Sequence, residues 1–352
     1  MSVIDPSRTE LPVLDVAAFR ADPSSPEASR FVDELRAACH GPGFVYLTGH
    51  GIDPALEDGL WSASRAFFQL SEDERRSLAI VNSPAFRGYT ILGDERTQGR
   101  SDWRDQIDLG PEQDAPPAGS TGPAWLRLRG PNQWPPSLPS MKPAVLDWMH
   151  AMDALGLTML RALAVGLGQP IARFDADFTP ESDVHLKIIR YPAQQAEADT
   201  GQGVGLHHDS GLLSFILQDD VGGLKVQLGD RLVDAEPIPG TYVMNLGEML
   251  QTATSGYLRA TPHMVESPPP GVERLSVAYF YNPRFESTFE PLQLPLELAA
   301  EAPGGEHGMI DDPVHSLFGE NNLKIRLRAH PDVAARHYAD VTRANVALDS
   351  GD

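Results

Sequence analysis

From Asp183 onward the chain breaks into short apolar or alternating runs, and this punctuation restricts the fold more than any other feature. His185 to Tyr191, Leu212 to Leu217, Leu224 to Leu228, Thr241 to Leu246 and Arg274 to Tyr281 read as strands. Gly-Gly, Gly-Asp and Pro-Gly pairs separate them, as tight turns require. Helical patterns flank the block. Ser24 or Ser25 caps a helix that begins at Pro26 and ends at Gly41, and a strand follows at Phe44 to Leu47. Further helices are predicted over Pro54 to Leu70, Met141 to Leu167, Asp312 to Lys324 and Pro331 to Leu348. Between Asn82 and Pro139, Gly and Pro recur and periodicity is lost, so that stretch is expected to be irregular, as lids and binding loops often are. Short strands between helical flanks predict a β-sandwich or barrel braced by helices.

Composition narrows the function classes. A formal charge of −21 repels phosphate backbones and anionic lipid, so neither nucleic acid nor a membrane is expected as a partner. No run approaches the ~20 apolar residues of a membrane span; the best, Leu155 to Gly168, is short and carries Arg161. The first residues have no apolar signal core, which predicts a cytoplasmic location. Cys39 is the only cysteine, which excludes an internal disulfide framework or a thiolate cluster and reads as a small core residue. These features leave an enzyme or binding protein acting on a small molecule, with oligomeric state open.

The chemistry gathers in five positions. His207 and Asp209 stand two apart, and on an extended strand such residues share a face. Alone the pair is weak: 11 His and 49 acids in 352 residues give roughly 1.5 such matches by chance. A rival, His330-Pro331-Asp332, lies in a helical context and reads as structural. His263, entering another strand region, completes two imidazoles and one carboxylate, the donor set that occupies one face of a non-haem Fe(II) ion. Arg274 and Ser276 alternate on a later strand, and a guanidinium beside a hydroxyl suits a planar carboxylate.

The segments HHDSGLLSFILQDDVGGLKV, NLGEMLQTATSGYLRATPHMV and RLSVAYFYNP together resemble the isopenicillin N synthase-like family of Fe(II)/2-oxoglutarate-dependent dioxygenases. ELPVLDVAAF and ACHGPGFVYLTGHGI resemble its N-terminal region, and FGENNLKIRLRAHPDVAARHY resembles bacterial members. The resemblance implies an α+β fold with a double-stranded β-helix (jelly-roll) core, braced by N-terminal and C-terminal helices. It implies one oxygenase domain over 1–352: a mostly helical region over 1–180, the core over 181–295 and a helical segment over 296–352. It makes His207, Asp209 and His263 the iron ligands, Arg274 and Ser276 the anchor for the distal carboxylate of 2-oxoglutarate, and Tyr191 a neighbour of that cosubstrate. Arg190 and Met264 depart from the usual family residues, Asn245 matches a family Asn whose role is left open, and His208 should face away from the ion. Arg87 and Tyr89 fall in the region over the iron face and are the candidate substrate contacts. The implied activity uses Fe(II), 2-oxoglutarate and O2 to oxidise a small molecule, releasing succinate and CO2, with hydroxylation the default and desaturation or cyclisation as variants. An oxidase needing no 2-oxoglutarate, ethylene-forming chemistry and a non-catalytic jelly-roll binding protein are the alternatives.

Overall fold

Local sequence sets the entry of each N-terminal helix. The computed structural model describes residues 10–97, 99–117, 119–194, 202–304, 308–309 and 312–341. After β1 (Val13–Asp15) and α1 (Ala17–Ala21) comes α2 (Pro26–His40), with Pro26 in its first turn, where a missing N–H costs nothing. Ser25 Oγ accepts a hydrogen bond from Ala28 N at 3.1 Å. Past β2 (Phe44–Thr48), Asp53 caps α3 (Pro54–Gln69) by accepting from Ala55 N, and a reciprocal Ser71–Glu74 capping box opens α4 (Glu72–Ser77). Helices α2 and α3 pack against α5 (Met141–Gly166), which buries Val145, Trp148, Met152, Leu155 and Met159 at helical spacing.

The strands are β3 (Gly88–Thr90), the small hairpin β4 (Arg96–Thr97) with β5 (Arg100–Ser101), β6 (Asp105–Leu109), β7 (His185–Tyr191), β8 (Val204–His207) and β9 (Leu213–Gln218). They continue with β10 (Leu224–Leu228), β11 (Arg231–Asp234), β12 (Tyr242–Leu246), β13 (His263–Val265) and β14 (Arg274–Tyr281). The larger sheet runs β1-β2-β12-β9-β14-β7-β6-β3 and the smaller β11-β10-β13-β8. Phe44, Tyr46, Ile189, Tyr191 and Val243 of the larger sheet meet Val204, Leu224, Val226 and Val265 of the smaller in one apolar cluster between them. The opposite face of the larger sheet carries Ile188, Val277 and Tyr279 into a second, larger core with the helices. This is the expected jelly roll braced by helices. Short helices α6 (Asp175–Phe178), α7 (Glu248–Ala253) and α8 (Leu296–Glu301), a β15 (Gly308–Met309)/β16 (Asp312–Pro313) pair, and helices α9 (Phe318–Ala329) and α10 (Pro331–His337) complete the described elements. Among the described residues no helix is long and apolar enough to cross a membrane.

Three expectations need correction. The stretch from Asn82 to Pro139 is not wholly irregular, because β3 and β6 extend the larger sheet. Strand β6 hides from a hydrophobicity reading because its sequence, DQIDL, is buried throughout yet mostly polar; Asp105 pairs with Arg190 and Asp108 with His185. The helix expected from Asp312 begins at Phe318. Residues 316–318 are first held in a bridge to the 287–289 segment, through Phe289 N to Ser316 O and Phe318 N to Ser287 O. The helix expected over Pro331 to Leu348 stops at His337, where Tyr338 turns inward and donates its hydroxyl to Pro84 O; positions 342–348 lie outside the described residues.

Candidate metal centre

Antiparallel pairing sets His207, the last residue of β8, directly opposite His263, the first of β13, with ring centroids 4.3 Å apart. Asp209 follows just beyond the strand end, and its Oδ1 lies 3.8 Å from Nε2 of each imidazole. The three ligand atoms lie within 4.8 Å of one another, the only such His/Cys/Asp/Glu group found among the described residues. Ligand bonds of ~2.1 Å at right angles place donors about 3 Å apart, so closing on an ion needs a contraction of roughly 1 Å or less in each N···O separation.

Neighbouring groups aim the donors. Nδ1 of His207 faces Gly205 O at 2.9 Å and Nδ1 of His263 faces Thr261 O at 3.2 Å. A carbonyl only accepts, so each ring carries its proton on Nδ1 and turns the Nε2 lone pair toward Asp209. Asp209 Oδ2 accepts from Ser214 Oγ and, at 2.7 Å, from Asn245 Nδ2, which leaves Oδ1 to the imidazoles. Burial and the adjacent His263 push the His207 pKa down. The two imidazoles, together with the Ser214 and Asn245 bonds, hold the Asp209 carboxyl below its usual range despite its burial. A neutral imidazole and an ionised carboxylate are the forms a divalent ion binds. His208 behaves as expected: exposed, it turns its Nδ1 to Ala260 O at 2.7 Å.

Arg274, 1 % exposed, lies on the same inward face of the larger sheet. Its Nε donates to Val221 O at 3.1 Å, one terminal nitrogen to Ser276 Oγ at 3.2 Å and the other to Gln218 Oε1 at 3.1 Å, while the Tyr191 ring lies 4.9 Å from its carbon. Three of five N–H donors are used, so two remain for a carboxylate, with the Ser276 O–H beside them. Tyr191 pairs with Arg274 across β7 and β14, and its hydroxyl makes no hydrogen bond among the described residues. Arg190 points to the other face, held by Asp105 at 2.7 Å.

The structure does not bring Tyr89 to this site. Its ring packs against Phe67 in the helix-side core and its hydroxyl donates to Asp105 Oδ2 at 2.6 Å, on the far face of the sheet. Arg87 is buried at the sheet end, donating to Leu109 O and to His185 Nδ1. Two residues that sequence reasoning missed are Ser214 and Gln218. Their signal was present: both occupy inward positions of β9, polar side chains among Leu213, Phe215 and Leu217.

Two histidines and one carboxylate brought together between facing sheets are the donor set of a mononuclear non-haem iron oxygenase. Family models agree: residues 11–137 match the non-haem dioxygenase in morphine synthesis N-terminal family and residues 183–283 match the 2OG-Fe(II) oxygenase superfamily. A 2-oxoglutarate-dependent dioxygenase, frbJ, of Dothideomycetidae sp. (strain 11243) is 32% identical over 341 residues, covering 93% of this chain and 91% of its own. A homoarginine-6-hydroxylase of Glycine max is 30% identical, covering 81% and 88%. A full-length Neurospora crassa protein, solved in complex with alpha-KG, shares the fold, with TM-score 0.74 at 24% identity over 93% and 98% of the two chains. The chain belongs to the 2OG-Fe(II) oxygenase superfamily. It is an Fe(II)- and 2-oxoglutarate-dependent oxidoreductase that consumes O2 and acts on a small molecule.

Proposed function

We propose that His207, Asp209 and His263 hold the iron on one face, and that Arg274, Ser276 and Tyr191 hold 2-oxoglutarate by its distal carboxylate. The observation that carries this is the division of labour at Asp209: one oxygen is tied to Ser214 and Asn245, the other is left with both imidazoles. Bound iron supplies the oxidising chemistry, turning 2-oxoglutarate and O2 into succinate and CO2 as the substrate is oxidised. The chain supplies geometry. The Gly205 and Thr261 carbonyls fix two tautomers, the Arg274 fork orients a carboxylate, and the Phe44 ring, edge-on to His263 at 5.2 Å, keeps water from that imidazole.

Hydroxylation of a small metabolite is the outcome we propose, in keeping with the hydroxylase names among the relatives. An isopenicillin N synthase-like placement and a bacterial source belong to the same proposal, supported by the motifs around residues 207–226 and 318–338. So does a single oxygenase domain spanning the chain. A cytoplasmic setting is supported by the lone, buried Cys39. The test is succinate release from 2-oxoglutarate across a panel of small molecules. Release that one compound stimulates, and that His207→Ala or Asp209→Ala abolishes, is expected; full turnover in either variant overturns the ligand assignment.

A further inference from the structure

Arg274 is a buried cation that lies over the Tyr191 ring, 4.9 Å from its centre, a contact that does not by itself fix how the guanidinium is turned. Three acceptors fix it. Val221 O takes the Nε–H at 3.1 Å, Gln218 Oε1 takes one terminal nitrogen at 3.1 Å and Ser276 Oγ takes the other at 3.2 Å. Ser276 belongs to the strand of Arg274 itself. The other two bracket Asp219 and Asp220, where β9 ends and the chain turns toward β10.

The two acids of this turn behave differently. Asp220 is exposed, and its carboxylate has no hydrogen-bond partner among the described residues. Asp219 is tied on both oxygens. Its Oδ1 accepts from Val221 N at 3.0 Å, closing an Asx turn over the next two residues. Its Oδ2 accepts from Leu275 N at 2.5 Å, while Asp219 N donates to Leu275 O at 3.3 Å. The β9–β14 register ends at the pair of Gln218 with Ser276, so this carboxylate supplies the acceptor that a further strand residue would have offered. One side chain thus ties the turn to the residue beside Arg274 and sets the carbonyl that receives its Nε. Gln218 is aimed too: its Nε2 donates to Ala235 O at 3.0 Å, which leaves Oε1 for Arg274. Asp219 uses both oxygens on backbone N–H groups, and among the described residues no carboxylate forms an ion pair with Arg274, so the fork stays open to the carboxylate of a ligand.

We propose that Asp219 and Gln218 are positioning residues: Asp219 builds the turn, and through Val221 O and Gln218 Oε1 the turn holds the Arg274 fork ready for the distal carboxylate of 2-oxoglutarate. The inference rests on reading Arg274 as the anchor of that carboxylate. A fork already held in place loses less freedom when the carboxylate arrives, and binds it more tightly for that reason. The sequence signal is the polar pair Gln218-Asp219 directly after Leu217, where a mostly apolar strand ends.

The test titrates 2-oxoglutarate calorimetrically into the anaerobic full-length protein loaded with Fe(II), with Fe(II) affinity measured separately by competition with a chelator. Asp219→Ala is expected to raise the Kd for 2-oxoglutarate about tenfold, the worth of one hydrogen bond to a charged group, and to leave Fe(II) affinity unchanged. In an Arg274→Ala background the same substitution should add less than about twofold, because a residue that acts through Arg274 has nothing left to act on. Asp220→Ala, the neighbouring acid, should change neither quantity. Gln218→Met removes one acceptor and leaves the turn in place; it should raise the Kd about threefold, again only while Arg274 is present, and it decides the matter if Asp219→Ala does not fold. A full loss that persists in the Arg274→Ala background, an equal loss of Fe(II) affinity, or an unchanged Kd in both Asp219→Ala and Gln218→Met overturns the proposal. If Arg274→Ala alone leaves the Kd for 2-oxoglutarate where it was, the anchor reading itself fails and the positioning role falls with it.

Discussion

Asn245 Nδ2 donates to Asp209 Oδ2 at 2.7 Å, and that bond decides which carboxylate oxygen faces the two imidazoles. Groups that orient a metal ligand typically contribute 10–100-fold to affinity. Asn245→Ala is therefore expected to weaken Fe(II) binding about 10–100-fold, read by competition with a chelator. Ser214→Ala should act in the same direction through the same oxygen. Undiminished affinity in both variants would mean that the Asp209 carboxylate is held by something else.

Arg274 has a different signature. If it anchors the distal carboxylate of 2-oxoglutarate as proposed, its removal takes a charge-assisted partner, worth about 1.5–3 kcal/mol, from that group. Arg274→Ala is expected to raise the apparent KM for 2-oxoglutarate about ten- to hundredfold, with the substrate KM much less affected. Arg274→Lys should recover only part of the loss, because an ammonium cannot present a planar fork. A rise confined to the substrate KM would point to an oxidase whose substrate carboxylate occupies this position.

The parts of this site that were legible in the sequence share one property: the chemistry lies in side chains at fixed short spacing on a strand. His207 with Asp209, and Arg274 with Ser276, needed only the two-residue period. His263 required knowing that β13 pairs with β8, which no local pattern states. Tyr89 was misplaced because its position in sequence fixes the region but not the face; its pairing with Ile107 turns the ring toward the helices. Strand β6 escaped because Gln106 and Asp108 are buried by ion pairing and hydrogen bonding, which leaves no apolar periodicity to detect.

His185 predicts the direction of acid destabilisation. Its Nε2 donates to Asp108 Oδ1 at 2.8 Å, and its Nδ1 lies 3.1 Å from Arg87, which can only donate, so the ring is neutral. Burial, with Arg326 and Arg87 adding to it against the Asp108 bond, holds its pKa well below 6.5. An unfolded chain therefore binds a proton here below about pH 6.5 that the folded chain refuses, and stability falls as pH drops through that window. One such group gives a slope of up to about 1.4 kcal/mol per pH unit. Urea midpoints are expected to fall between pH 6.5 and 5.5, and less steeply in His185→Gln. An identical slope in that variant would show that His185 titrates alike in both states.

Two helical glycines should respond oppositely to the same substitution. Alanine is favoured over glycine inside a helix by about 1 kcal/mol. At Gly59 in α3 an added Cβ meets nothing nearer than Ala144 Cβ at 3.9 Å, so Gly59→Ala is expected to stabilise the protein. At Gly156 in α5 the same atom would come within 2.5 Å of the Tyr281 ring, which is 2 % exposed and cannot retreat because Phe178 stacks on it at 4.5 Å. Overpacking of that kind costs about 1–3 kcal/mol, more than the helix gains. Gly156→Ala should lower the urea midpoint and Gly59→Ala raise it. A gain at both positions would mean that Tyr281 is free to move, and that the close approach of α5 to β14 does not depend on the missing side chain.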